Sequence, residues 1–175
     1  MQNELEELLR KEHSIRNTMA IVNYVGDDAD KMKVLMSFVC GNNKLLVQRA
    51  TWPLGYIVIE HPHLVLPHLD TLMAGLTKAP HPAYKRNVLK FLREMDNIPE
   101  QYHSSIINHC FNIVLQKNDP AAVIAFAIII LGNFYRIYPE IGGEILAAIE
   151  PLQHHELPSI KNSSIRLMKH IHKTT

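Results

Sequence analysis

Shifted by 38 residues, the sequence falls on itself, apolar position on apolar position. Leu46, Tyr84, Ala122 and Ile160 form one series, Ala50, Val88, Phe126 and Ser164 a second, and Leu54, Leu92, Ile130 and Met168 a third. Leu35, Met73, Phe111 and Ile149, then Phe38, Leu76, Val114 and Leu152, repeat the same step on the intervening segments. One series could arise by chance; five on two alternating segments do not. A period of this length marks stacked supersecondary units, none of which can bury its apolar face alone. It fits two helices of about 12 to 17 residues joined by short turns.

Local spacing makes the segments helices. Leu69, Leu72, Met73 and Leu76 fall at i, i+3, i+4 and i+7, as do Ile107, Cys110, Phe111 and Val114. Sustained alternation and Asn-Gly or Asp-Gly hairpin turns are missing. Pro62, Pro82, Pro99, Pro139 and Pro158 stand where helices begin, and Asn118-Asp119-Pro120 reads as an N-cap followed by proline at the first helical position. First helices are expected near 28–40, 62–78, 99–117 and 139–153, second helices near 43–60, 81–96, 119–137 and 156–172. Ahead of them, 2–11 and 14–25 read as a shortened extra pair with Ser14 as a cap; one unbroken helix is the alternative, because no Gly or Pro interrupts the stretch. Pro53 lies inside a second helix and predicts a bend there. Pro67 either bends the next helix in the same way or marks its true start. The expectation is one all-α domain over 1–175, with an N-terminal helical cap at 1–25 and four two-helix repeats at 26–175, about ten helices in all.

Composition narrows the class. Apolar residues make up 47% and charged residues 20%, ordinary for a soluble globular chain and too apolar for disorder. The longest apolar run, 121–131, is eleven residues, against about 20 for a membrane span. The acidic, amphipathic N-terminus lacks the features of a signal peptide. Two cysteines cannot build a disulfide framework, which points to a reducing compartment and a cytoplasmic location.

The pattern resembles HEAT-like repeats of the armadillo-type class, whose second helices typically carry an Arg near the start, then Ala and Leu. Gln48-Arg49-Ala50-Thr51-Trp52-Pro53-Leu54-Gly55 fits well, Lys85-Arg86-Asn87-Val88-Leu89 in part, and 121–132 only in its apolar positions. The resemblance covers nearly the whole chain. It implies a right-handed α–α superhelix (a HEAT-like solenoid) and a binding scaffold whose second helices line the ligand-facing side.

The 38-residue register then gives rows on that side: Gln48, Arg86, Ile124, Asn162; Trp52, Lys90, Ile128, Arg166; and Gly55, Arg93, Leu131, Lys169. Arg86, Lys90 and Arg93 share a helix face at i, i+4, i+7. The segment 121–131 is apolar all round, so it is either covered, by the N-terminal helices or by a second copy in a homodimer, or it exposes an interaction patch. The functional expectation is a groove for a protein or peptide segment with an apolar centre and acidic flanks. Its candidate residues are Arg49, Trp52, Arg86, Asn87, Lys90, Arg93, Ile124, Ile128, Leu131 and Arg166. Charge is uneven beneath a net +1: 1–40 hold five basic and seven acidic groups, 41–97 seven and four, and the rest six and six. A basic helix is otherwise simply a solvated face.

Enzyme and metal readings lack their residues. Eleven histidines invite a metal, but there is no H-E-x-x-H, no C-x-x-C and no His pair at i, i+4, so no metal, cofactor or catalytic group is expected. Most histidines are instead expected at helix ends. Protonating all eleven would carry the formal charge from +1 to +12, making solubility sensitive to pH around the histidine pKa of about 6.5. HEAT-like DNA glycosylases that repair alkylated bases are the enzymatic alternative. Against it stand a single Trp, a net charge of +1 and no acidic residue in the three rows, because affinity for nucleic acid rests on many cations. Lyases acting on bilin chromophores share the repeat type, but no motif for them is present.

Overall fold

A computed structural model describes residues 1–78 and 81–174. Among the described residues there are twelve α-helices and no strand. The chain divides into two compact units, Met1–Asp96 and Asn97–Thr175.

The first unit holds α1 (Gln2–Lys11), α2 (Ile15–Val25), α3 (Ala29–Val39), α4 (Lys44–Thr51), α5 (Leu54–Glu60), α6 (Pro62–Val65), α7 (Leu69–Gly75) and α8 (Pro82–Glu94). Side-chain caps fix four of these eight starts. The Ser14 hydroxyl accepts from Asn17 N at 3.1 Å and makes α1 and α2 two helices rather than one. The Asp28 carboxylate accepts from the amides of Asp30 and Lys31, and the Asn43 side chain from those of Leu45 and Leu46. Twelve helices replace the expected ten because two are split by proline. At Pro53 the second helix breaks into α4 and α5, since proline offers no N–H to the preceding turn. At Pro67 a 3₁₀ turn, Leu66–His68, separates α6 from α7, so Pro67 bends a helix already begun at Pro62. The continuous α8 packs along both α4 and α5.

The second unit holds α9 (His103–Gln116), α10 (Ala121–Tyr135), α11 (Gly142–Ile149) and α12 (Pro158–Thr174). Two first helices are shorter than expected, because Glu100–Tyr102, Pro139–Ile141 and Glu150–His154 are 3₁₀ turns. Pro120 is itself the cap of α10, its carbonyl accepting from Val123 and Ile124, so this helix starts one residue later than the Asp119 cap would place it. Helix α10 packs against α9 on one side and α12 on the other.

The 38-residue series is the core in both units. None of its twenty members is exposed. Leu35, Leu54 and Val88 in the first unit, and Val114 and Ile149 in the second, are fully enclosed. Burial of each aliphatic side chain contributes about 1.5–3 kcal/mol.

Candidate functional site

In the first unit the structure brings together Arg49 of α4, Trp52 at the break after it, and Arg86 and Lys90 of α8. Gly55 lets α5 and α8 approach: its missing side chain leaves room for the Lys90 methylenes, 3.7 Å from where a Cβ would stand. The Lys90 ammonium then lies over the Tyr56 ring at 4.7 Å from its centroid, a cation–π contact. Trp52 is half-buried at the helix break, and the His13 ring lies 4.7 Å from it. Arg86 is exposed one turn before Lys90. The surface is thus aromatic and cationic. Tyr56 and His13 were not among the expected residues. Tyr56 was legible as the i+4 neighbour of Trp52; His13 comes from the N-terminal pair and carried no local signal.

Two expected residues are occupied otherwise. Asn87 is buried at 3% exposure, with its amide donating to Thr51 Oγ1 at 3.0 Å; it ties α8 to α4 and is not available to a partner. Arg93 is half-buried and donates to the carboxylate of its neighbour Glu94, Nε to Oε1 at 3.0 Å, so its charge is largely answered within the chain.

Arg49 has a structural duty as well. Its guanidinium donates to the Leu9 carbonyl at 2.8 Å, near the end of α1. The Asn17 amide takes the neighbouring carbonyls of Leu8 and Glu12 at 2.8 and 3.0 Å. Carbonyls left open at a helix C-terminus attract such donors. Arg49 Nε is enclosed without a hydrogen-bond partner among the described residues.

Partial burial, then the positive charges of Arg49 and Arg86, hold the His13 pKa below the usual histidine value. Burial, then Lys33, does the same to His68. A histidine whose pKa is lowered on folding binds fewer protons in the folded state, so its contribution to stability is complete above the unfolded pKa of about 6.5 and is lost as pH falls. Thermal midpoints should therefore drop on acidification from about pH 7 to pH 5, and the drop should be smaller in His13→Gln. An unchanged pH dependence in that variant would show that His13 carries none of it.

In the second unit the expected apolar centre is not open. Ile124, Ile128 and Leu131 are 3%, 0% and 0% exposed, because α9 and α12 of the same unit flank α10. The all-round apolar character of 121–131 is that of an internal helix, and these three side chains are enclosed by the chain itself, not open to a partner. Arg166 on α12 is exposed, and it lines a shallow pocket of about 190 Å³ between α10 and α12 with Ile129, Arg136 and His170. Arg136 and His170 fall outside the three register rows, whose last members on these helices are Leu131 and Lys169. The spacing of Ile129, Gly132, Asn133 and Arg136 at i, i+3, i+4, i+7 marked a mixed face running past 121–131.

Several histidines stand at helix boundaries, and two of them accept from nearby backbone amides there. His81 Nδ1 accepts from Ala83 N at 3.0 Å and His155 Nδ1 from Leu157 N at 3.1 Å. Buried His103 donates from Nε2 to the Ile98 carbonyl at 2.7 Å, leaving Nδ1 to accept from the Tyr138 hydroxyl at 2.8 Å. Among the described residues no group of three His, Cys, Asp or Glu is placed to hold a metal ion. Burial pushes the Cys110 thiol far above its usual range and raises that of Cys40, so neither thiol is poised as a thiolate nucleophile. No helix of the described residues is long and apolar enough to cross a membrane.

Comparison with curated proteins and with solved structures gives no match. A family model described as a HEAT repeat domain matches residues 5–171. Repeated helical hairpins, a shared 38-residue core register and a match over nearly the full length agree: the chain belongs to the HEAT repeat domain family.

Proposed function

We propose that the chain is a non-catalytic protein- or peptide-binding scaffold of the cytoplasm, a HEAT-like repeat domain over 1–175 that works through the face of its second helices. HEAT repeats stack helical pairs into extended surfaces. The observation that carries the reading is the cluster of Trp52, Tyr56, Arg86 and Lys90. It combines two half-buried aromatic rings with two cations that, among the described residues, have no carboxylate partner. Trp, Tyr and Arg are the residues over-represented in the energetic centres of interfaces, where a large rigid ring is buried at little entropic cost. The free thiols of Cys40 and Cys110 suit a reducing compartment.

Selection of a random peptide display library on the full chain tests this. Peptides should be enriched, and among them should be some whose binding Trp52→Ala combined with Arg86→Glu weakens by roughly tenfold or more. Failure to enrich any peptide, or binding of duplex DNA at low salt in preference to all peptides, would sink the scaffold reading.

A further inference from the structure

Helices α10 and α12 each present a stripe of i, i+3, i+4, i+7 spacing toward the other. Ile129, Gly132, Asn133 and Arg136 line the pocket from one side, and Ser163, Arg166, Leu167 and His170 from the other. Gly132 sets the depth: a Cβ there would stand 3.0 Å from Leu167 Cδ1, so its absence lets the two helices close over an apolar floor of Ile128 and Leu167. Ile129 is half-buried above that floor. Arg136 and Arg166 are exposed at the rim, and neither has an ion-pair partner among the described residues. His170 adds a ring N–H donor, its edge against Tyr135 at 5.8 Å.

Size and charge decide the occupant. At about 190 Å³ the pocket is smaller than the roughly 300–1,000 Å³ of sites that enclose a free small molecule; it suits one side chain of a larger ligand. Its lining holds no carboxylate. Residues 98–175 carry six basic and six acidic groups, yet Pro158–Thr174 has four of the basic ones and no acid, and Ala121–Tyr135 has no acid either. Balanced charge has been segregated, leaving the paired second helices positive.

We propose that the groove between α10 and α12 binds an acidic linear segment of a partner protein, seating one aliphatic side chain on Ile129 and Leu167 while flanking carboxylates meet Arg136, Arg166 and His170. This rests on the scaffold reading and deepens it by naming the partner's chemistry. Carboxylate–guanidinium pairs beside an apolar anchor combine orientation with desolvation, which fixes register as well as affinity.

The same library selection on the full chain, read by sequence, gives the first result: enriched peptides should be rich in Asp and Glu around a Leu, Ile or Val. A fluorescent copy of the best peptide is then titrated onto two charge-matched variants. Arg136→Glu with Arg166→Glu should weaken it by roughly tenfold or more. Lys161→Glu with Lys173→Glu, equal in net charge but outside the pocket, should leave it within about twofold. Ile129→Glu, on the half-buried groove face, should also lose binding while keeping its helical signal. Enriched peptides that are neutral or basic, or acidic ones equally weakened by both charge-matched pairs, overturn the proposal. So does tighter groove-dependent binding of a single-stranded oligonucleotide, or self-association abolished by the Arg136→Glu, Arg166→Glu pair. Peptides that depend on Trp52 and not on Arg136 leave the scaffold reading standing and remove this groove alone.

Discussion

Truncation of Tyr84 to alanine is expected to destabilise the chain by about 3–5 kcal/mol, the range for removing an enclosed aromatic ring. Tyr84 is 2% exposed, and its hydroxyl donates to the Leu72 carbonyl at 3.0 Å. Leu72 lies in the last turn of α7, so its carbonyl has no partner further along the helix. Tyr84→Phe isolates this effect and should cost about 1–3 kcal/mol, the penalty for stranding a buried acceptor. The ring also dictates Gly75. A Cβ on Gly75 would come within 2.9 Å of Tyr84 Cε1 and closer still to the hydroxyl end. Gly75→Ala should therefore destabilise, by about 1–3 kcal/mol from overpacking less the gain of about 1 kcal/mol in helix propensity. In a Tyr84→Leu background the clash is gone and the same substitution should become neutral or stabilising. Urea unfolding of the four chains measures the coupling; independent, additive effects would show that Gly75 and Tyr84 do not meet.

Ile128→Glu should be the most damaging of the substitutions on α10. Ile128 is wholly enclosed, and a carboxylate placed there would be taken out of water, while the cations of the adjoining pocket, Arg136 and Arg166, stand exposed at its rim. A loss of about 4 kcal/mol or more is expected, a large share of the 5–15 kcal/mol that holds a domain together. Far-UV circular dichroism and urea midpoints would show it as partial unfolding at neutral pH. Ile129→Glu, one residue on and half-buried, should cost far less. If the two variants proved equally stable, the enclosed and open faces of α10 would have been confused. The contrast also bears on binding assays: loss of a partner in Ile128→Glu would report unfolding, not a lost contact.

The repeat and its core were open to reading because they rest on period and hydrophobicity, which are properties of single positions. Leu46 and Tyr84 are alike to a 38-residue shift whatever surrounds them. Proline breaks at Pro53 and Pro67 were legible for the same reason, since a missing N–H acts locally. The site was less so. Whether an apolar residue is exposed depends on what packs over it, and nothing in 121–131 says that α9 and α12 enclose Ile124, Ile128 and Leu131. Asn87 looked like a surface residue beside Arg86. Only the approach of Thr51, 36 positions earlier, turns it inward. Conversely Arg136, whose helical face was legible in its spacing, gains meaning only by lining one pocket with His170 of a distant segment.

Trp52, the chain's only tryptophan, sits within Met1–Asp96. Its emission is therefore a spectroscopic witness to one unit alone, whereas helical ellipticity sums over both. Coincidence of the two signals during denaturation is the standard check for a single cooperative transition; here it becomes a question put to Asn97–Thr175, which must melt without a fluorophore of that kind. The His13 ring beside Trp52 adds a second use. Because imidazolium quenches indole, the emission of the folded chain is a proton gauge for His13.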